Sequence, residues 1–117
     1  MKVYISGKIT GLTYLEAFEN FARVEKYLLK IGVHEVFNPM TEVDQTLLDH
    51  NYRLYIETCV SNLKNCDMIL LQNNWKESPC CHEELTNAQR FKKHIRYDRP
   101  TDYHDIEMML RREFRPA

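Results

Sequence analysis

Glu84 is the side chain in this sequence best set up to do chemistry. It lies in the stretch 65–88, NCDMILLQNNWKESPCCHEELTNA. Ser78–Pro79 reads as a helix start, with Ser as N-cap and Pro in the first helical position. On that helix Glu84 shares a face with Cys80, Cys81 and Ala88. A carboxylate on a face of small and apolar residues is a candidate nucleophile or acid/base group. The phase set by Cys81, Leu85 and Ala88 turns Glu84 inward and Glu83 away. Ser78 adds a hydroxyl at a helix N-terminus, where backbone N–H groups favour anions. The plain alternative is a surface helix carboxylate paired with a Lys or Arg.

The elements that must hold Glu84 follow from periodicity. Residues 68–71 form an unbroken apolar run, as expected of a parallel strand buried on both faces. A first strand is predicted over 2–5, followed by the loop Ser6-Gly7-Lys8-Ile9-Thr10-Gly11. Apolar residues at helical spacing predict a helix over 14–29, stopped by Gly32. A short second strand covers 34–37 and ends at Asn38-Pro39, and 40–49 reads as loop or irregular helix. Tyr52, Tyr55, Ile56, Cys59, Val60 and Leu63 mark a second amphipathic helix. The third helix runs from Pro79 to about Lys92, and a fourth strand is expected over 94–97. Thr101 or Asp102 is the expected cap of a last helix carrying Tyr103, Ile106, Met109 and Leu110. Strands alternating with helices predict a flavodoxin-like, Rossmann-like doubly wound parallel sheet of about four strands, in one domain spanning 1–117. The first and third strands should be neighbours at the switch point. The loops after the first, second and third strands then converge beside Glu84.

Composition narrows the function. The chain has 117 residues, enough for one modest core, and a net charge of −1, so no basic excess points to a nucleic-acid polymer. Lys92, Lys93 and Arg96 read as a solvated helix end. No apolar run reaches the roughly 20 residues of a membrane span, and the N-terminus lacks a signal-peptide core. A cytoplasmic protein with reduced cysteines is expected. The group Cys80-Cys81-His82 with Cys59 and Cys66 lacks the paired spacing of a structural zinc site, so neither metal nor cofactor is expected.

Taken together, these segments resemble the nucleoside 2-deoxyribosyltransferase superfamily, especially its small bacterial and phage members. The resemblance rests on YISGKITG, on FNP at 37–39 and on YIETCVSNLKNCDMILL. It rests also on the spacing of Trp75, Ser78, Glu84 and Ala88, and it covers about residues 1–97. It implies that Glu84 attacks C1′ of a nucleoside and displaces the base. Another base or water then resolves the glycosyl-enzyme, as in retaining glycosidases. It implies that Ser78 meets the 5′ end of the sugar, where a serine resembles the branch acting on 5′-monophosphates. Gly7 and Ile9 would line base and sugar, with Ser6, Gly11, Asn38, Cys59 and Trp75 completing the binding set. The expected partner is a small-molecule nucleotide or nucleoside. A homo-oligomer is also implied, since such proteins often complete each site with a neighbour's C-terminal residues. The tail from Tyr103 to Arg115 is the candidate for that role.

Two positions depart from the resemblance. Cys59 stands where an Asp is usual, eight residues before Asp67, and a thiol cannot act as a carboxylate. Cys80 stands where glycine is frequent, and its side chain would crowd a phosphate. The alternative is therefore a nucleotide-binding module without catalysis. For single residues the ordinary readings stay open: Cys59 as a buried structural thiol, Asp67 in a local pair, Trp75 covering only a strand end.

Overall fold

The computed structural model describes residues 1–113. Four strands, β1 (Lys2–Ser6), β2 (Glu35–Phe37), β3 (Met68–Leu71) and β4 (His94–Tyr97), form one all-parallel sheet in the order β2-β1-β3-β4. This is the flavodoxin-like doubly wound arrangement, with the winding reversing between β1 and β3. The helices are α1 (Tyr14–Lys30), α2 (Pro39–Glu42), α3 (Leu47–His50), α4 (Tyr52–Lys64), α5 (Pro79–Arg90) and α6 (Pro100–Glu113).

Alternation along the strands sends side chains to opposite faces. Val3 and Ile5 of β1 and Met68 and Leu70 of β3 pack against Ala17, Phe21, Val24 and Leu28 of α1 and Tyr103, Ile106 and Leu110 of α6. Tyr4, Ile69 and Leu71 pack the other way, against Tyr55, Ile56, Cys59 and Leu63 of α4 and Cys81 and Ala88 of α5. Right-handed crossovers require this division. α1 connects toward β2, whereas α4 and α5 carry the chain back across the sheet.

Helix ends follow local chemistry. Thr13 and Glu16 form a capping box at the start of α1, with two reciprocal bonds of 3.1 Å. At its other end Gly32 takes φ +111°, and Val33 N–H donates to Leu28 O at 3.0 Å.

Several expected boundaries move. β1 runs one residue further, to Ser6, because its ladder with β3 continues through the pair Ser6–Leu71. β2 starts at Glu35, not His34. The segment 40–49 holds two short helices, α2 and α3, the first capped by Asn38. α5 stops at Arg90 rather than about Lys92, because Lys92 turns to φ +57° and Lys93 N–H donates to Ala88 O at 2.9 Å. Neither Thr101 nor Asp102 caps the last helix. It starts at Pro100, which has no N–H to satisfy, and Asp102 lies inside the first turn, its carboxylate accepting from Tyr97 N–H at 2.5 Å. Tyr103, Ile106 and Leu110 are buried in the molecule's own core, so this stripe of α6 is not left for a partner. Arg111 and Arg112 stay exposed at the end of α6, and the proposed interface from Phe114 onward lies outside the described residues.

Candidate functional site

Glu84 sits in the second turn of α5, 5% exposed, where that helix crosses the carboxyl ends of β1 and β3. Tyr4 and Ser6 alternate to the same face of β1 and both reach it. The Tyr4 hydroxyl donates to one carboxylate oxygen, Oε2, and Ser6 Oγ donates to the other, Oε1, at 3.1 Å. Burial raises the Glu84 carboxyl to about 7. The Tyr4 and Ser6 hydroxyls oppose that rise, and the charge of Glu83 adds a little to it. Glu83 itself turns outward to Arg53, 3.4 Å away.

The surroundings are thiols and phenols rather than charges. Cys59 is fully buried beside Tyr4 and Tyr55. Burial first, and then the charge of Glu84, push its thiol up to about 12. Cys81 is raised to about 12 for the same two reasons. Burial chiefly, then Glu84, also lifts the Tyr4 phenol well above its usual value. These groups stay neutral at ordinary pH, so Glu84 is the group of this cluster whose charge changes near neutrality.

Glu84 faces a narrow cleft walled by Ile5, Gly7, Ile9, Thr10, Pro39, Tyr55, Ser78 and Cys80. The cleft contains about 280 Å³ of empty space out to its mouth, but its walls close to the room of a single water. The loops after β1 and β3 meet over it: Lys8 N–H donates to Asn74 Oδ1 at 3.0 Å, and Lys8 Nζ to Glu77 Oε1 at 3.2 Å. Ser78 is buried at the start of α5, and its Oγ accepts from Cys81 N–H at 3.3 Å. His82 N–H is taken by the Ser78 carbonyl, and Pro79 has none. An anion here would therefore depend on the Ser78 hydroxyl, the Cys80 N–H and the helix dipole. The Cys80 thiol lies 3.3 Å from the Tyr52 hydroxyl and forms part of the wall.

Not every residue singled out from sequence reaches this cleft. Glu84, Gly7, Ile9 and Ser78 do, with Ser6 bonded to Glu84 and Cys59 behind it. Gly11 lies outside the cleft walls and uses its freedom for a turn at φ +92°. Asn38 is buried and committed to structure: Oδ1 caps Met40 N–H at 3.0 Å, and Nδ2 donates to Glu25 at 2.9 Å. Its neighbour Pro39 supplies the wall instead. Trp75, in a single 3-10 turn over Trp75–Glu77, packs on His82 and Tyr97 and covers the ends of β3 and β4. Asp67 is at the opposite end of the sheet, accepting from Lys2 N–H at 2.8 Å.

Tyr4 is the contact that sequence reasoning passed over. Its signal is a hydroxyl inside an apolar strand, two residues before Ser6, which must find a partner once buried. Two buried amide atoms near the cleft have no hydrogen-bond partner: Gln45 Oε1 and Gln72 Nε2. Among the described residues no three His, Cys, Asp or Glu side chains are grouped to hold a metal ion, all four cysteines are free, and no helix is long and apolar enough to cross a membrane.

No curated protein and no solved structure matches the chain. A family profile matches residues 1–97, from β1 through β4, and so takes in the whole sheet and every residue of the cleft. The chain thus belongs to the family described as a domain of unknown function, DUF4406.

Proposed function

We propose that this protein binds a nucleoside 5′-monophosphate in the Glu84 cleft and breaks its N-glycosidic bond, releasing the base to water or exchanging it for another. The observation that carries the reading is a buried carboxylate with one hydroxyl on each oxygen, opening into a cleft at the switch point of the sheet. The resemblance drawn from the sequence gives that same residue the role of nucleophile.

In this scheme a Glu84 oxygen bonds to C1′ while the C1′–N bond breaks, and the base leaves with the bonding pair and takes a proton from solvent. Water or a second base then attacks C1′, and the ester bond to Glu84 breaks, returning the carboxylate. Tyr4 and Ser6 hold the carboxylate in one orientation, so little freedom is lost at the transition state. The phosphate would take the start of α5, where a carboxylate in place of Ser78 would repel it.

The test is chromatography for free base after incubation with each deoxynucleoside 5′-monophosphate, with and without an acceptor base. Base release should rise with pH as Glu84 ionises, half-maximal at about 7. Glu84→Gln should lower it by on the order of 10⁴-fold or more. Absence of free base from every monophosphate overturns catalysis. A second reading, binding without turnover, is favoured by Cys59, a neutral thiol behind Glu84 that cannot assist as a carboxylate would. Ligand-induced thermal stabilisation with no base released is its signature.

A further inference from the structure

Gln72 is a buried polar group that the scheme above leaves unused. It follows directly on β3, and its backbone N–H donates to Ser6 O at 2.9 Å, extending the ladder past the last strand pair. Its side chain is 2% exposed, yet Nε2 has no hydrogen-bond partner. Native chains rarely leave such a donor unpaired, because burial removes its water and returns nothing.

Gly7, a wall residue of the cleft, is what makes room for this amide. A Cβ at position 7 would stand 2.4 Å from Gln72 Nε2 and 2.5 Å from Cδ. Alternation places Gly7 and Gln72 on the α1 side of the sheet, since Val3, Ile5 and Leu70 face that way, while Ser6 turns to Glu84 on the α4/α5 side. Glu84 and the Gln72 amide therefore flank the ends of β1 and β3 from opposite faces.

We propose that Gln72 is a ligand-binding residue whose amide N–H donates to an acceptor atom on the base of the bound nucleotide. This rests on the reading of the cleft as a nucleotide site. In that reading the sugar must reach Glu84 and the phosphate the start of α5, both on the α4/α5 side. The base is the part left to cross toward Gly7. Nucleobase edges carry ring-nitrogen and carbonyl acceptors, and a neutral amide pairs with them without bringing a charge into the cleft. Entry of a base requires the Gly7–Gly11 loop to move outward, since the walls now leave room for one water. That movement takes Gly7 off the amide and exposes the donor to the ligand.

The test compares two probes that differ by the base. Calorimetric Kd values for the deoxynucleoside 5′-monophosphates and for 2-deoxyribose 5-phosphate are measured in a Glu84→Gln background, which prevents turnover. Adding Gln72→Leu should weaken the best monophosphate by about ten- to a hundredfold and leave the affinity for 2-deoxyribose 5-phosphate unchanged. Melting temperature should hold or rise, because an orphaned donor is removed. Gln72→Met, closer in shape, should behave alike and serves if the leucine variant fails to fold. Equal loss for both probes, no loss for the monophosphate, or no binding of any monophosphate overturns the proposal. Base release is assayed separately with Glu84 intact. A protein that binds monophosphates through Gln72 but frees no base defeats the proposed reaction and leaves this contact standing.

Discussion

The two faces of one sheet are built for different ends. On the α1/α6 side, β1 and β3 present Val3, Ile5, Met68 and Leu70 to Phe21, Val24, Leu28 and Ile106, and this interior is hydrocarbon. Its polar atoms are at the edges: at the rim the Tyr103 hydroxyl donates to Asp98 at 2.7 Å and Arg23 pairs with Asp98 at 2.5 Å, and at the strand ends the Gln72 amide is buried against Gly7. On the α4/α5 side the same two strands present Tyr4, Ser6, Ile69 and Leu71 to a layer holding Tyr55, Cys59, Cys81 and Glu84. The first face stabilises by removing apolar surface from water. The second keeps an ionisable group out of water, which a fold optimised only for stability would avoid. A sheet whose side chains alternate can hold both without compromise, because a residue on one face does not crowd the other.

Substitutions that act on one face only would test this division. The largest effect on stability should come from the hydrocarbon side. Leu28→Ala, remote from the cleft walls, should cost about 3–5 kcal/mol in denaturant unfolding, by lost transfer energy and a cavity, with no change in how stability depends on pH. A pH-dependent loss would mean that the two faces are coupled.

Glu84→Gln should be next in size and opposite in sign. The Glu84 carboxyl is raised from its ordinary value to about 7, so the native state holds a proton that the unfolded chain releases. Its stabilising share is therefore complete below about pH 4.5 and is lost as pH rises through about 7. That shift corresponds to about 3 kcal/mol. The stability gap between the glutamine variant and wild type should grow by that amount between about pH 4 and about pH 8, in favour of the variant. A constant gap would mean that Glu84 is not held dry.

Tyr4→Phe should cost about 1–3 kcal/mol at about pH 8, where it strips a donor from a buried carboxylate, and less at about pH 5. It should also move the midpoint of any base release upward, since Tyr4 now holds that carboxyl down. Ser78→Ala is the smallest change, about 1 kcal/mol through loss of the α5 cap. Ser78→Asp keeps a cap, and should weaken monophosphates more than nucleosides if phosphate lies there. Equal effects on the two ligand classes would remove the phosphate from Ser78.

Most of the architecture was legible before any coordinates, and the exceptions have physical causes. Both α1 and α5 end with the same reversal of chain, the residue after the cap taking positive φ and the next N–H reaching back five residues. At α1 that residue is Gly32, which announces the turn. At α5 it is Lys92, which does not, and the expected helix ran past its end. The last helix was expected to start late because Thr101 and Asp102 look like caps, whereas Pro100 already begins it and Asp102 works from inside the first turn.

The sequence alone determined the order of strands and helices, the parallel sheet and the inward turn of Glu84. Those depend on periodicities of two and 3.6 residues and on caps that act within one turn. Which polar groups meet was decided only in the tertiary structure. Tyr4 and Glu84 are 80 positions apart, and their contact depends on the register of β1 against β3 and on how α5 crosses their ends. The same packing gave the Asn38 amide to Glu25, sent Trp75 to Tyr97, and set the Gln72 amide against Gly7. A side chain's partners are chosen by long-range packing, and a local pattern specifies only the direction in which it points.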